Sequence, residues 1–362
     1  MRWVGPEKGV IHLALSAVAN AIWDLWAKSV GKPVWKLVCD MTPEEYVRCV
    51  DFRYISDALS PAEAIELLEE KQKGKQTRLE EATDNTAVPI YTTSAAWLGY
   101  SDEKMRELLL QSKKDGFHHY KLKIGGDIER DLRRLKIFRE VIGWDDILML
   151  DSNQIWSVPE VEAYLAQLAH FKPLFIEEPT SPDDILGHAR IRALLQKHNI
   201  AVATGEHCQN RVIFKQLLQA KAIDYCQIDA CRLGGLNEVM AVMLLAAKFN
   251  TPIHPHMYVI LSGGVGLPEY SQHVSTIDYV MVSGQKSVLE YIDSLHEHFY
   301  HPAQIANGHH ITPISPGYSV EIKPESMDKY SFPGENGSWW TTKEAHAMIN
   351  AERVVGWRPH TH

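Results

Sequence analysis

Asp151, Glu177 and Glu206 each close a short apolar run, in ILMLDSNQ, LFIEEP and IAVATGEH. The step from each acid to the next is close to the length of one strand-plus-helix unit. Three carboxylates brought to one point repel one another unless a cation lies between them. An all-oxygen donor set with positions left for substrate suits Mg²⁺. Lys121 and Lys123 in YKLKIGG share one face of another such run, because strand side chains alternate with period two. Beside a metal and an anionic substrate, one lysine can hold a carboxylate while the other serves as a base. The cationic surroundings are expected to push that lysine's pKa down. Asp229 in QIDACR and His256 in IHPH end two further runs. A carboxylate on one imidazole nitrogen fixes the tautomer and leaves the other nitrogen for proton transfer.

Other candidates carry less chemistry. Strand alternation is expected to turn Glu178 away from Glu177, which leaves it outside the metal site. His296, His298 and His301 are spaced two and three apart, which scatters them around a helix, so they read as a surface helix. The glycines of SGGVG (262–266) could cradle a phosphate, but no other feature points to a nucleotide. Cys208 lacks a separate base that would make it a nucleophile.

Eight apolar or β-rich runs recur from residue 89: PIYTTSAAW, HHYKLKIG, DILMLDSN, LFIEEP, IAVATGEH, YCQIDACR, TPIHPH and, from 275, STIDYVMVSG. Their starts keep a nearly constant period, with helix-period sequence such as EVEAYLAQLAHF between them. That alternation means parallel βαβ units. Eight of them predict an α/β fold of the (β/α)₇β, TIM-like barrel type, whose strand C-termini meet on the face where active sites are built. A doubly wound sheet is disfavoured, since no G-x-G-x-x-G follows the first strand.

Before residue 85 the chain reads helical. One helix is expected from Gly9 to Val30, closed by Gly31-Lys-Pro33, and a second from Ser60, with Pro61 at its first position and Glu63 in its first turn. The run VIHLALSAVANA imitates a signal-peptide core, but its helical pattern continues through Trp23, Leu25 and Trp26. It is therefore read as a buried amphipathic helix with His12, Ser16 and Asn20 as a polar stripe. The expected domains are a partial cap (1–87), the barrel (88–285), and a C-terminal helix, SVLEYIDSLHEHF, with a tail packing back on the cap (286–362).

The 362 residues are 45% hydrophobic and 23% charged, with a formal net charge of −9. No basic tract could track a phosphate backbone, so neither nucleic acid nor an anionic membrane is an expected partner. Five cysteines without framework spacing point to a reducing compartment, the cytoplasm, and no disulfide scaffold.

Taken together, K-x-K at Lys121/Lys123, D-x-N at Asp151/Asn153, IEEP at Glu177, GE at Glu206, the Asp229–His256 pair and Glu269 in GLPEY resemble the enolase superfamily, specifically its mandelate-racemase-like acid-sugar dehydratases. The likeness runs from RWVGPEKGVIHLALSAVANAIWDLWAK to KPESMDKY, nearly the whole chain. Sites of that superfamily pair a Lys or His base with Mg²⁺. The resemblance implies one Mg²⁺ on Asp151, Glu177 and Glu206, and Lys121 on the substrate carboxylate. Lys123 would remove the C2 proton, His256 with Asp229 would protonate the departing 3-hydroxyl, and Asn153 and Glu269 would contact substrate. The implied reaction converts a six-carbon aldonate of the L-galactonate type to its 2-keto-3-deoxy acid through an enediolate. An L-fuconate dehydratase and an acid-sugar epimerase or racemase are the enzymatic alternatives. The family commonly self-associates, so a homo-oligomer is also implied.

Two departures from the family pattern stand out. Met1 falls inside the family's capping segment, so the cap is expected to lack its first strands and mobile loops. The family also runs from the catalytic His almost directly into the Gly-rich loop, whereas here Met257-Tyr-Val-Ile-Leu261 intervenes. An inactive pseudoenzyme or binding protein is the reading from another class that these departures raise.

Overall fold

The computed structural model describes residues 7–257, 265–332 and 337–354. The inserted residues 258–261, and Ser262–Gly264 of the Gly-rich loop, lie outside the described residues.

The barrel strands follow one another in sequence order. β1 (Ile90–Tyr91) leads into a parallel five-stranded sheet of β2 (His119–Lys123), β3 (Ile147–Asp151), β4 (Pro173–Glu177), β5 (Ala201–Thr204) and β6 (Tyr225–Cys226). A parallel bridge from Thr92 to Tyr120 joins β1 to β2, and another from Cys226 to Ile253 adds the seventh run after β6. The eighth position is β7 (Leu289–Glu290), paired in parallel with β1 at Ile90↔Leu289 and Tyr91↔Glu290. Helices connect the strands, among them Ile128–Ile142, capped by the Asp127 side chain on Arg130 N–H, and Arg211–Gln219, capped by Asn210. This is the α/β barrel expected from the period.

One strand falls elsewhere than expected. The run STIDYVMVSG is helical, occupying the end of helix Leu267–Ile277 and a π-helical turn Asp278–Val282. The helix starts after Gly266, at φ +84°, with Pro268 in its first turn, and nearly all its residues are buried. A helix buried all round shows no amphipathic period, so its β-branched end imitates a strand. The eighth barrel strand instead comes from SVLEYI, and it lies beyond the expected barrel limit of 285. The histidines at 296–298 sit on a single 3₁₀ turn.

The first helix, α1 (Gly9–Ser29), corrects a second expectation. Its polar stripe faces inward: His12, Ser16 and Asn20 are buried together with Trp23 and Ala27. His12 Nε2 lies 2.7 Å from Glu238 Oε2, Asn20 Oδ1 accepts the Leu236 N–H at 3.0 Å, and Trp23 Nε1 donates to Asn237 Oδ1 at 2.9 Å. The stripe thus satisfies the start of helix Leu236–Lys248, while Val10, Val18, Ile22 and Leu25 are exposed. The helix Pro61–Gln72 forms as read, with a Ser60–Glu63 capping box behind Pro61. The C-terminal segment lies against the N-terminal helices, with Val34 N–H donating to Gly317 O and Tyr318 N–H to Asp24 Oδ1. All five cysteines are free.

Candidate active site

Strand register brings the charged side chains together. Lys123 of β2 lies opposite Asp151 of β3, and Asp151 lies opposite Glu177 of β4. Further back on these strands, Met149 and Phe175 pack with Tyr91 and Ala203 as an apolar floor. After β5 the chain turns at Gly205, φ +142°, and presents Glu206. A Cβ on Gly205 would collide with the backbone oxygen of Gln227, so only glycine permits this close approach of β5 to β6. His256 is held beside them by its N–H on Ile228 O (2.9 Å), just beyond the end of β6.

An unbroken line of contacts crosses this end of the barrel. Lys123 Nζ donates to Asp151 Oδ2 at 2.5 Å and to Asn153 Oδ1 at 2.8 Å. Lys121 Nζ lies 2.8 Å from Glu177 Oε2 and 3.7 Å from Asp151 Oδ2. Glu177 lies close enough to Glu206 to feel its charge. Glu206 Oε2 is 3.4 Å from His256 Nε2, and Asp229 Oδ2 is 3.2 Å from His256 Nδ1. Asp229 is in turn oriented by the Cys231 N–H on its Oδ1. Eight of the nine expected site residues therefore meet in one place. The ninth, Glu269, is buried in the first turn of helix Leu267–Ile277, where its Oε1 accepts the Ala303 N–H.

Burial and charge set the protonation states. Burial disfavours the Lys121 cation, but Glu177, with Tyr91, Glu290 and Asp151, outweighs it and holds the pKa well above the ordinary lysine value. Lys123 is likewise raised, burial being overcome chiefly by Asp151. The lysines face more carboxylates than cations, which sets this direction. Burial, then Asp151, raises Glu177 to about 8. His256 is raised to about 9: burial opposes its charge, and Glu206 and Asp229 restore it. Glu206 falls well below the usual range, since His256 and a hydrogen bond from His207 overcome its burial.

Two further carboxyl groups adjoin the site: Glu178, expected to point away, and Glu290, which the sequence did not single out. Glu178 takes φ +42°, so the alternation that turned it away ends with β4 at Glu177. Its Oε2 accepts from Gln154 Nε2 at 3.0 Å and its Oε1 lies 3.7 Å from His207 Nε2. Glu290 ends β7, buried, with Oε1 accepting from the Thr93 hydroxyl at 2.5 Å and its charge felt at Lys121 and His256. Its signal was a barrel period counted to the wrong run.

The triad fits a divalent cation. Asp151 and Glu177 are fully buried, and Glu177 Oε1 has no hydrogen-bond partner. A buried carboxylate oxygen without a partner is costly, and a hard cation relieves that cost.

The chain matches the family described as enolase C-terminal domain-like over residues 104–326, more than half its length. It belongs to the enolase superfamily. It is 62% identical to L-galactonate dehydratase of Hypocrea jecorina over 98% of this chain and 78% of that one. The crystal structure of human mitochondrial enolase superfamily member 1 superimposes with a TM-score of 0.88 at 52% identity, covering 93% of this chain and 76% of that one. L-talarate/galactarate dehydratase from Salmonella typhimurium LT2, liganded with Mg and L-lyxarohydroxamate, superimposes with a TM-score of 0.68, covering 90% and 68%. Its identity is 24%, so that likeness speaks for the fold alone.

Proposed function

We propose that this enolase-superfamily chain is a hydro-lyase that dehydrates a six-carbon aldonate of the L-galactonate type to the 2-keto-3-deoxy acid, with Mg²⁺ on Asp151, Glu177 and Glu206. The observation that carries the reading is the line from Lys123 through the three carboxylates to His256 and Asp229. It sets a candidate base and a candidate acid on either side of the three carboxylates. The 62% identity to a fungal L-galactonate dehydratase supports the substrate class.

A divalent cation on the triad supplies positive charge to the substrate carboxylate and so makes the adjacent C2–H more acidic. Lys121 holds the same carboxylate with its ammonium. Asp151 would be one of the residues holding the cation, and it now pairs with Lys123. Lys123 in its neutral form would take the C2 proton through Nζ, with Asn153 Oδ1 positioning that amine. His256 carries the proton that Glu206 and Asp229 favour, and gives it from Nε2 to the departing 3-hydroxyl, which leaves as water. The enol product tautomerises to the 2-keto acid. Asp229 keeps Nδ1–H pointing at itself.

The test is L-galactonate and L-fuconate incubated with the chain in D₂O, with and without Mg²⁺. The expected result is Mg²⁺-dependent 2-keto-3-deoxy acid, with L-galactonate favoured. Deuterium exchange at C2 without keto acid would replace the reading by an epimerase. Mg²⁺ binding with neither exchange nor product would replace it by a binding protein.

A further inference from the structure

One donor atom from each of Glu178, Glu206 and His207 falls within 4.8 Å of the others. Glu178 is fully buried, and its Oε1 has no hydrogen-bond partner although it faces His207. Glu206 divides its oxygens: Oε1 is 3.2 Å from His207 Nε2, and Oε2 is 3.4 Å from His256 Nε2. One carboxylate can therefore serve two centres, one through each oxygen. His207 is about one-third exposed, so the position opens to solvent.

Two buried carboxyl groups, Glu178 and Glu206, and one imidazole face the same position. Ionised carboxylates buried side by side are costly, and a divalent cation between them would offset that cost.

We infer that Glu178, Glu206 and His207 form a second divalent-cation position, distinct from the triad and selective for a borderline metal such as Zn²⁺ or Co²⁺. The imidazole nitrogen sets that preference. Zn²⁺ and Co²⁺ accept mixed nitrogen and oxygen donors, whereas Mg²⁺ demands oxygen. Glu178 and His207 supply ligands that the triad does not use, and Glu206 bridges. The backbone supports the arrangement, since Gln154 N–H donates to Glu178 O at 2.8 Å and Gln154 Nε2 fixes the other carboxylate oxygen.

The inference uses the proposed Mg²⁺ site only in sharing Glu206 with it, and the test separates the two. The full chain is dialysed against saturating Mg²⁺ with increasing Zn²⁺, and both metals are counted by elemental analysis. Co²⁺ replaces Zn²⁺ in parallel, for its visible absorption. The expected result is one equivalent of Zn²⁺ bound in addition to Mg²⁺. His207→Gln and Glu178→Gln should each weaken Zn²⁺ at least about tenfold, as loss of one ligand does. Both should keep the Mg²⁺ equivalent, which also shows that they fold. The Co²⁺ spectrum of the parent should carry bands that His207→Gln abolishes. Zn²⁺ that merely displaces Mg²⁺ one for one, with equal affinity in His207→Gln, overturns the second position. So does a His207→Gln protein that loses both metals together, since His207 would then belong to a single centre. Failure of the triad reading looks different: no Mg²⁺ equivalent, with Zn²⁺ still dependent on His207.

Discussion

Replacing Lys123 with alanine separates what this side chain does for the fold from what it does for the reaction. Lys123 Nζ and Asp151 Oδ2 are 2.5 Å apart, and both side chains are nearly inaccessible. At an effective dielectric of about 20, their attraction is about 7 kcal/mol. Most of that offsets the cost of taking both charges out of water, and removing one partner of such a pair costs about 3–5 kcal/mol. Lys123→Ala should therefore lower unfolding free energy by about that amount in chelator, measured by urea denaturation. Saturating Mg²⁺ should recover most of the loss, because Asp151 then has another counter-charge. Turnover should not recover: kcat is expected to fall about 10²–10⁴-fold with KM changed far less, as for a group acting only in the proton-transfer step. A variant with turnover within tenfold of the parent would remove Lys123 from the role of base. A stability loss that Mg²⁺ leaves untouched would refute the placement of the cation beside Asp151.

Asp229→Asn should leave the fold intact but lower kcat by about 10²–10⁴-fold, because an amide no longer favours the His256 imidazolium or its tautomer; parallel kcat and KM measurements check this. Gly205→Ala should lose Mg²⁺ affinity, read by isothermal titration, along with stability, since its Cβ meets Gln227 O at φ +142° and must displace Glu206. Asp278, fully buried, is raised from 3.8 to about 7, first by burial. Its contribution is thus complete below about pH 4 and is lost as pH rises through 7, up to about 4 kcal/mol. Asp278→Asn should flatten that limb of the stability–pH curve and make the variant the more stable protein at pH 8. His273, lowered to about 3 by burial, behaves oppositely: its ring Nδ1 accepts the Trp35 N–H, and the stability present above pH 6.5 is lost as pH falls toward 3. The Asp278 and His273 slopes oppose each other between pH 4 and 6.5, so the urea midpoint at pH 4 minus that at pH 6.5 should be more positive in His273→Gln than in the parent.

The meeting of the carboxylate triad with the lysine pair was legible because each sits at a strand end, where a short apolar run stops at an acid or alternates with a base. Local pattern suffices there: Lys123, Asp151 and Glu177 occupy one register line across β2, β3 and β4. The polar stripe on α1 was legible as a stripe but not as a direction. Periodicity identifies a face, but the partners that draw His12 and Asn20 inward, Glu238 and Leu236 N–H, belong to a helix on the far side of the sequence.

The residues that escaped share a different cause. Strand alternation holds only while the backbone stays extended, and Glu178 departs from it immediately after β4, at φ +42°. Glu290 was lost because the run before it, from Leu267 to Val282, is helical yet buried on all sides, so its composition imitates a strand. That displaced the count by one element and turned the real closing strand, Leu289–Glu290, into an expected helix. Closure of a barrel is a long-range event, fixed when β7, the last strand of the ring, pairs with β1, the first. The two carboxylates that sequence pattern could not place are therefore the ones set by a strand's exit and by the ring's closure. Both add a carboxyl group to a centre that the sequence already marked as acid-rich. For that reason the excess of carboxyl groups over lysines, more than any single residue, supports the cation proposed for this site.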